Sequence, residues 1–214
     1  MVMKEIDFDF KSSPFLNFFT SRVSVSARVN IENALKFTKE NNLSFFIVSL
    51  GCLLYGLNSV DELRRRIIND KTIEFSEIDG ITPIMAEDND IWGEIRVLPP
   101  NKFKSIFKWH EYVVKTRDSF LNNEISSCEI PMSDRDTEPI ANFSCVPWID
   151  FDAINSCIAE PHQIQPLVTW GKFSKDFQMP VAITFSHIFV FGKQIADFYN
   201  EAQRAFDNPL IISL

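Results

Sequence analysis

The sequence lacks the features that mark membrane proteins, secreted proteins and metal sites. Its four cysteines, Cys52, Cys128, Cys145 and Cys157, are scattered and form no C-x-x-C pair. We therefore expect no metal site and a reducing, cytoplasmic compartment. The longest mostly apolar run, residues 43–57, is shorter than the roughly 20 residues of a membrane span. No basic segment precedes an apolar one at the start, so neither a signal peptide nor membrane binding is expected.

Positive charge is also scarce. The chain has 21 Lys and Arg against 29 Asp and Glu, which gives a formal net charge of -8. A general nucleic-acid binder needs a basic face that releases phosphate counterions, so nucleic acid is not expected as a partner. A local basic pocket for one anionic ligand remains compatible with this balance.

Phenylalanine, by contrast, is abundant, with 21 copies against 3 tyrosines. This predicts a thick aromatic core and some aromatic surface for an interface or an apolar ligand. A chain of 214 residues forms one large domain or two small ones. Since no linker, repeat or low-complexity tract interrupts it, we expect a single domain over residues 1–214.

Hydrophobic periodicity predicts an α+β domain with a mixed, mainly antiparallel sheet and helices packed on it. Helices are predicted at residues 15–19, 30–42, 43–57, 59–66 and 102–122, and strands at residues 4–10, 22–29, 72–85 (two strands about a turn at Asp79-Gly80) and 91–98. Asp88-Asn89-Asp90 is a further predicted turn, and residues 123–138 are expected to be mobile. From Ile140 the pattern is strand, turn, strand, turn, strand, helix. The three arginines Arg64-Arg65-Arg66 are interpreted as a solvated helical face rather than a phosphate site.

Residues 179–201 combine a buried strand, a histidine and an amphipathic helix. His187 follows the apolar strand and Gly192 stands just before the helix. That position suits a general base, but a lone histidine beside apolar residues is more often hydrogen-bonded in a core. Two other strand ends carry reactive side chains. Ser144 precedes Pro147-Trp148, and Thr169 and Lys172 lie near the end of the next strand.

Several spaced motifs in the C-terminal half of the chain resemble the same protein family. The motifs Ser144-x-x-Pro147-Trp148, Pro166-x-x-Thr169-x-Gly171-Lys172 and Met179-Pro180-x-Ala182-Ile183, running into His187 and Gly192, resemble the C-terminal half of the chloramphenicol acetyltransferases. In the N-terminal half, Phe15-Leu16-Asn17-Phe18 is similar to the family's His-Phe-x-x-Phe. Glu62-Leu63-Arg64 is similar to the Glu-Phe-Arg that ends its long helix. The resemblance spans nearly the whole chain in order.

The resemblance implies a two-layer sandwich that forms homotrimers with active sites at the subunit interfaces. The reaction would move an acetyl group directly from acetyl-CoA to a hydroxyl of chloramphenicol or a similar small molecule, without an acyl-enzyme, and would confer antibiotic resistance. His187 would be the general base and Ser144 would steady the oxyanion. Thr169 would act through a bound water, and Lys172 would lie beside the coenzyme.

Two positions depart from the family motif. Ser186 replaces its first histidine, and Phe191 replaces an aspartate that pairs in the family with a buried arginine, whose place falls at or near Lys11. Loss of both partners is coherent, because a buried charge without its partner costs ~3–5 kcal/mol. Either Phe191 packs into the core and the protein is an enzyme, or the loop has relaxed and the protein is a trimeric small-molecule binding protein without catalysis.

A third hypothesis is a relative of the dihydrolipoamide acyltransferase catalytic domain. The absence of a lipoyl domain or linker counts against it. His110 and His162 are expected to be surface or structural residues.

Overall fold

The computed structural model describes residues 2–85, 92–131, 133–157 and 159–214. Its α-helices are α1 (Glu32–Glu40), α2 (Phe45–Asn58), α3 (Ile106–Leu121) and α4 (Gly192–Asp207). The strands are β1 (Met3–Glu5), β2 (Arg22–Asn30), β3 (Arg65–Ile68), β4 (Lys71–Phe75), β5 (Asp79–Met85), β6 (Trp92–Val97), β7 (Ile140–Val146), β8 (Leu167–Gly171) and β9 (Gln178–Ser186). Short 3-10 helices lie at Phe10–Ser12, Pro14–Asn17, Asp61–Arg64, Pro100–Lys102 and Pro209–Ser213. No helix of the described ranges is long and apolar enough to cross a membrane.

The strands form two sheets. The larger has six strands in the order β2-β9-β8-β7-β5-β6, and the smaller has three in the order β1-β4-β3. Strand β7 runs parallel to both β5 and β8, whereas the other pairs are antiparallel. The predicted α+β class with a mixed, mainly antiparallel sheet is therefore confirmed.

The two faces of the large sheet differ in chemistry, because alternate residues of a strand point to opposite faces. One face carries Ile183 and Trp170, which join the core with Leu53 of α2 and Phe198 of α4. The opposite face carries short polar side chains in register across four strands. These are Ser24 and Ser26 of β2, Thr184 of β9, Thr169 of β8, and Asn142 and Ser144 of β7. The helices thus leave one face of the sheet free for polar contacts.

The predicted helix over residues 59–66 is wrong in its second half. A 3-10 turn ends at Arg64, and Arg65 and Arg66 begin β3. Arg66 is 0% exposed, and its guanidinium donates to the main-chain carbonyls of Leu63, Arg65, Glu138 and Ile140. Strand alternation turns this side chain inward, so it is not part of a solvated face.

Two predicted turns have different outcomes. Asp79-Gly80 is not a turn, because β5 begins at Asp79 and the strand before it, β4, belongs to the other sheet. The turn predicted at Asp88-Asn89-Asp90 lies outside the described residues.

Helix α3 begins later than predicted, at residue 106 and not at residue 102. The helix begins at Ile106, where the Ser105 hydroxyl accepts a hydrogen bond from the Lys108 N–H at 3.3 Å. Trp109 is fully buried on this helix, whereas Phe107 is 42% exposed. In the segment predicted to be mobile, Arg135 is only 7% exposed and anchors the chain against the sheet.

Candidate active site

His187 follows directly on β9 and is held by its own main chain. Its N–H donates to the Ser21 carbonyl at 2.8 Å, and the Val190 N–H donates to the Ser186 carbonyl at 3.3 Å. These bonds close a turn between the strand and α4. The turn fixes the backbone of His187 against the segment that precedes β2.

Two phenyl rings, which we call the aromatic clamp, hold the His187 imidazole. Phe15 stacks on it with ring centroids 3.9 Å apart and an interplanar angle of 10°. Phe191 meets it edge-on at 5.1 Å. Nδ1 of His187 is buried and has no hydrogen-bond partner among the described residues. The ring plane is thus set by packing and not by a carboxylate.

Ser186, in the place of the family's first histidine, is a structural residue. It is 2% exposed, and its Oγ lies 3.0 Å from the Oγ of Ser21. The same hydroxyl accepts from the Ile188 N–H at 3.4 Å. Ser186 therefore ties the histidine turn to the N-terminal segment.

The interpretation that Phe191 packs into the core is wrong for this chain. Phe191 is 43% exposed and is the N-cap of α4, where its N–H donates to Oε1 of Gln194 at 3.2 Å. Lys11 is also exposed and pairs with Asp70 at 3.3 Å. A buried ion pair between these two positions has therefore not been replaced by buried packing; both positions face solvent.

Ser144 and Thr169 are direct neighbours on the polar face of the sheet. The two residues pair in the parallel ladder between β7 and β8. Thr169 is 4% exposed, and Ser144 is half-buried at the wall of a cavity. Of the two residues, Ser144 lines the cavity, and Thr169 lies beside it on the next strand.

Lys172 follows β8 and is exposed. Its main-chain N–H donates to the Ile149 carbonyl at 2.8 Å. The residue before it must be glycine, because a Cβ on Gly171 would lie 2.5 Å from the Ile149 carbonyl oxygen and 2.9 Å from the Phe151 ring. The loop after Ser144 thus packs directly on the end of β8.

The structure does not bring His187 and Ser144 of one chain together. Ser144 pairs with Thr169, which pairs in turn with Ala182, five residues before His187. Five residues along a strand and two strand spacings across a sheet amount to a separation of about 19 Å. Within one chain, the two side chains are too far apart to act on one carbonyl group.

A cavity of about 250 Å³ lies beside Ser144. Its charged side chains, which the sequence analysis did not single out, are Arg22, Glu94 and Arg135. Arg135 donates to Oε2 of Glu94 at 2.5 Å. Burial lowers the pKa of Arg22 to about 10, and the nearby Asp136 carboxylate opposes part of that shift. In the sequence, the one signal for this cavity was the alternation of Arg22 with apolar residues, which places it on the polar face of β2.

His110 and Cys145 are structural residues. Nε2 of His110 accepts a hydrogen bond from the Ser44 N–H at 2.9 Å, and burial, with Arg117 nearby, lowers the pKa of this histidine. The Cys145 thiol has its pKa raised to about 12 by burial. The described ranges contain no cluster of His, Cys, Asp and Glu that would hold a metal ion.

Comparisons with known proteins agree with this architecture. The family model described as chloramphenicol acetyltransferase matches residues 5–203. Chloramphenicol acetyltransferase 3 of Escherichia coli is 21% identical over 198 residues, which cover 87% of this chain and 86% of that protein. A solved chloramphenicol acetyltransferase superimposes with a TM-score of 0.75 at 20% identity, covering 94% of this chain and 99% of the other.

A more distant structure shares the fold. The dihydrolipoamide acetyltransferase of Azotobacter vinelandii superimposes with a TM-score of 0.68 at 12% identity, covering 91% of this chain and 85% of the other. The fold is thus common to two groups of acetyltransferases. This chain belongs to the chloramphenicol acetyltransferase family. Membership of that family supports an acyltransferase activity with acetyl-CoA as co-substrate.

Proposed function

We propose that the protein is an O-acetyltransferase that moves the acetyl group of acetyl-CoA directly to a hydroxyl of a small molecule, with no acyl-enzyme. His187 is the general base, Ser144 donates to the oxyanion, Thr169 assists through a water, and Lys172 lies by the coenzyme. The observation that carries the proposal is the turn after β9, which presents a clamped imidazole at the end of a buried strand. Four free cysteines support a reducing compartment such as the cytoplasm.

The chemistry requires these residue types. A hydroxyl has a pKa far above 7, so a neutral imidazole within about 3 Å has to take its proton during attack. The thioester carbonyl needs a donor aimed at its developing negative charge, and removal of one such donor costs about 3 kcal/mol. Ser144 is suited to that task because its hydroxyl borders a cavity beside a second hydroxyl, that of Thr169.

The separation within one chain supports a homotrimer with active sites between subunits. His187 of one subunit would face Ser144 and Thr169 of the next. Strand β2, at the edge of the large sheet, supports such a contact because Val23 is 36% exposed there. A cyclic arrangement of three chains would use the same two surfaces three times and leave no open end.

The aromatic clamp supports catalysis without the motif aspartate. In the dihydrolipoamide acetyltransferase of Azotobacter vinelandii, a serine, a histidine and an asparagine four residues after that histidine have been investigated for their role in the catalytic mechanism. Phe191 stands four residues after His187 in this chain. In this chain Phe15 and Phe191 supply the orientation of the imidazole by packing.

Thiol release from acetyl-CoA, with chloramphenicol as the first acceptor, tests the proposal. His187→Ala should lower the rate at least 100-fold, and Ser144→Ala should lower it about 100-fold. Lys175→Ala, a change at an exposed lysine on the turn after β8, is the control and should leave the rate unchanged. An undiminished rate in His187→Ala would remove the histidine from the mechanism.

Mixed trimers test the shared site. When His187→Ala and Ser144→Ala chains are refolded together in equal amounts, a site between chains is intact whenever an intact His187 meets an intact Ser144. Random mixing then recovers about one quarter of the wild-type activity, whereas a site within one chain recovers none. Recovery is measured against each variant refolded alone.

The alternative is a trimeric small-molecule binding protein without catalysis. The observation that favours it is the buried Nδ1 of His187 without a partner among the described residues, because nothing there fixes the tautomer that a base requires. This alternative expects saturable ligand binding by calorimetry, no thiol release, and no effect of acetyl-CoA on affinity.

A further inference from the structure

The cavity beside Ser144 is not the phenylalanine-rich pocket that the composition suggested. Among the described residues, Phe143 is its single aromatic lining residue. The apolar side chains of Ile81, Pro83 and Leu167 line it as well, and its polar lining consists of charged and amide side chains, those of Arg22, Glu94, Arg135, Asn142, Gln163 and Gln165. Its volume of about 250 Å³ is below the roughly 300–1,000 Å³ that usually holds a drug-sized ligand. A small molecule with an apolar body and one charged group suits this space better than a drug-sized one.

One of the two guanidinium groups is already paired. Arg135 donates to both carboxylate oxygens of Glu94, at 2.5 and 3.4 Å, and to Oδ1 of Asn142 at 3.1 Å. Its Nε donates to the Ile130 carbonyl at 3.0 Å. The charge of Arg135 is thus cancelled by Glu94, and its donors are used within the protein.

The guanidinium of Arg22, by contrast, is not paired with a carboxylate by a hydrogen bond among the described residues. Nη1 of Arg22 donates to the carbonyls of Gln163 and Gln165, but Nε is buried and has no partner among the described residues. The nearby Asp136 carboxylate is engaged elsewhere, because its two oxygens accept from the N–H groups of Ile164 and Gln165 at 2.8 Å. The charge of Asp136 still acts on Arg22, but it supplies no hydrogen bond there. A buried donor without an acceptor is costly, and a ligand carboxylate would supply the missing acceptor.

We propose that the acceptor of acetyl transfer is a small hydroxycarboxylic acid whose carboxylate binds the guanidinium of Arg22 in this cavity. The inference rests on the proposed function and names its substrate class. In the reaction, the acceptor hydroxyl oxygen bonds to the acetyl carbon while the carbon–sulfur bond of acetyl-CoA breaks. The hydroxyl proton passes by way of His187 to the departing thiolate, so the products are the O-acetyl acid and free CoA.

Two probes that differ only in charge provide the test. We use 3-hydroxymethylbenzoate and its neutral amide, 3-hydroxymethylbenzamide, which share the ring and the hydroxyl. Calorimetric titration of the full protein without acetyl-CoA should give about 10- to 100-fold tighter binding of the carboxylate, as expected for a hydrogen bond to a charged group. Equal or tighter binding of the amide overturns the inference, and so does the absence of binding by both probes.

Two variants test whether the Arg22 side chain causes the preference for the carboxylate probe. Arg22→Met should bring the affinity for the carboxylate down to that for the amide. Arg28→Met is the matched control from the same strand, because Arg28 is exposed and pairs with Asp150 and Asp152; it should keep the full preference. If Arg22→Met does not fold, the comparison of the two probes on the wild-type protein still decides.

Failure of the carboxylate acceptor and failure of the proposed acetyl transfer give different results. Preferred binding of the carboxylate without thiol release in its presence supports a carboxylate site at Arg22 but overturns its role as the acceptor site, whether or not chloramphenicol is acetylated. Acetylation of chloramphenicol or the amide, with neither binding nor acetylation of the carboxylate, supports catalysis and overturns the inference.

Discussion

Replacement of Phe191 by aspartate tests whether this position is the exposed cap of a helix or a buried packing site. Phe191 is the N-cap of α4 and offers no side-chain acceptor to the free N–H groups of the first turn. A carboxylate there accepts one of these groups, which is worth about 0.5–2 kcal/mol relative to alanine. It also lies at the positive end of the helix dipole, which adds about 0.3–1 kcal/mol.

Phe191→Ala is the reference, because it loses the same ring contacts with Phe15 and His187 and gains no acceptor. The difference between the two variants is then about 1–2 kcal/mol in favour of Phe191→Asp. For a chain of 214 residues, each kcal/mol shifts the melting temperature by about 2–4 °C. We therefore expect Phe191→Asp to melt about 2–8 °C above Phe191→Ala in thermal denaturation followed by circular dichroism.

Phe191→Asn separates the two contributions, since asparagine supplies the hydrogen bond without the charge. The advantage of aspartate over asparagine should shrink in high salt. A melting temperature of Phe191→Asp at or below that of Phe191→Ala would refute the reasoning, because it is the result expected of a carboxylate buried without a partner.

Three further predictions concern stability and the site. Arg66→Met should destabilise the protein by about 3–5 kcal/mol in urea denaturation, because it leaves buried carbonyls without donors. Gly171→Ala should lower both stability and thiol release by displacing the loop after Ser144, whereas Gly192→Ala should be tolerated because nothing lies within 4 Å of its added Cβ. The pKa of His110 is lowered from 6.5, so only the unfolded state gains its proton as the pH falls below 6.5. Stability should therefore fall with pH there, and less so in His110→Gln.

Controls for these variants come from the same chain. Arg204→Met, at an exposed arginine paired with Glu201, should change stability by less than about 1 kcal/mol. If Arg66→Met changed the free energy of unfolding no more than Arg204→Met does, the four hydrogen bonds from Arg66 to carbonyls would not be stabilising the fold. Equal losses in both glycine variants would argue against the loop contact, and parallel pH curves for wild type and His110→Gln would exclude that histidine.

Local sequence patterns were sufficient to predict the elements that have a clear hydrophobic periodicity. The buried strand before His187 and the amphipathic helix after Gly192 were both predicted, and both are present as β9 and α4. Motif spacing was sufficient to identify the family.

Features that depend on distant neighbours were not predicted. Arg66 is satisfied by carbonyls more than 70 residues away as well as by nearby ones, and no periodicity reports that. The cavity is assembled from Arg22, Glu94 and Arg135, which are far apart in the chain and converge only through the strand order. Packing of Phe191 in the core was one of two alternatives, argued from the joint loss of the motif aspartate and its arginine partner; its place at a helix N-cap exposes it instead.

The distance between His187 and Ser144 in one chain also has a kinetic consequence. In the proposed mechanism a lone chain cannot bring both side chains to one thioester, so a freshly synthesised chain would be inert until the proposed trimer forms. At high dilution the rate would then fall faster than in proportion to protein concentration, because the concentration of assembled sites depends on a higher power of the chain concentration. Coexpression of a chain that assembles but lacks His187 would likewise inactivate the sites that it shares with intact chains.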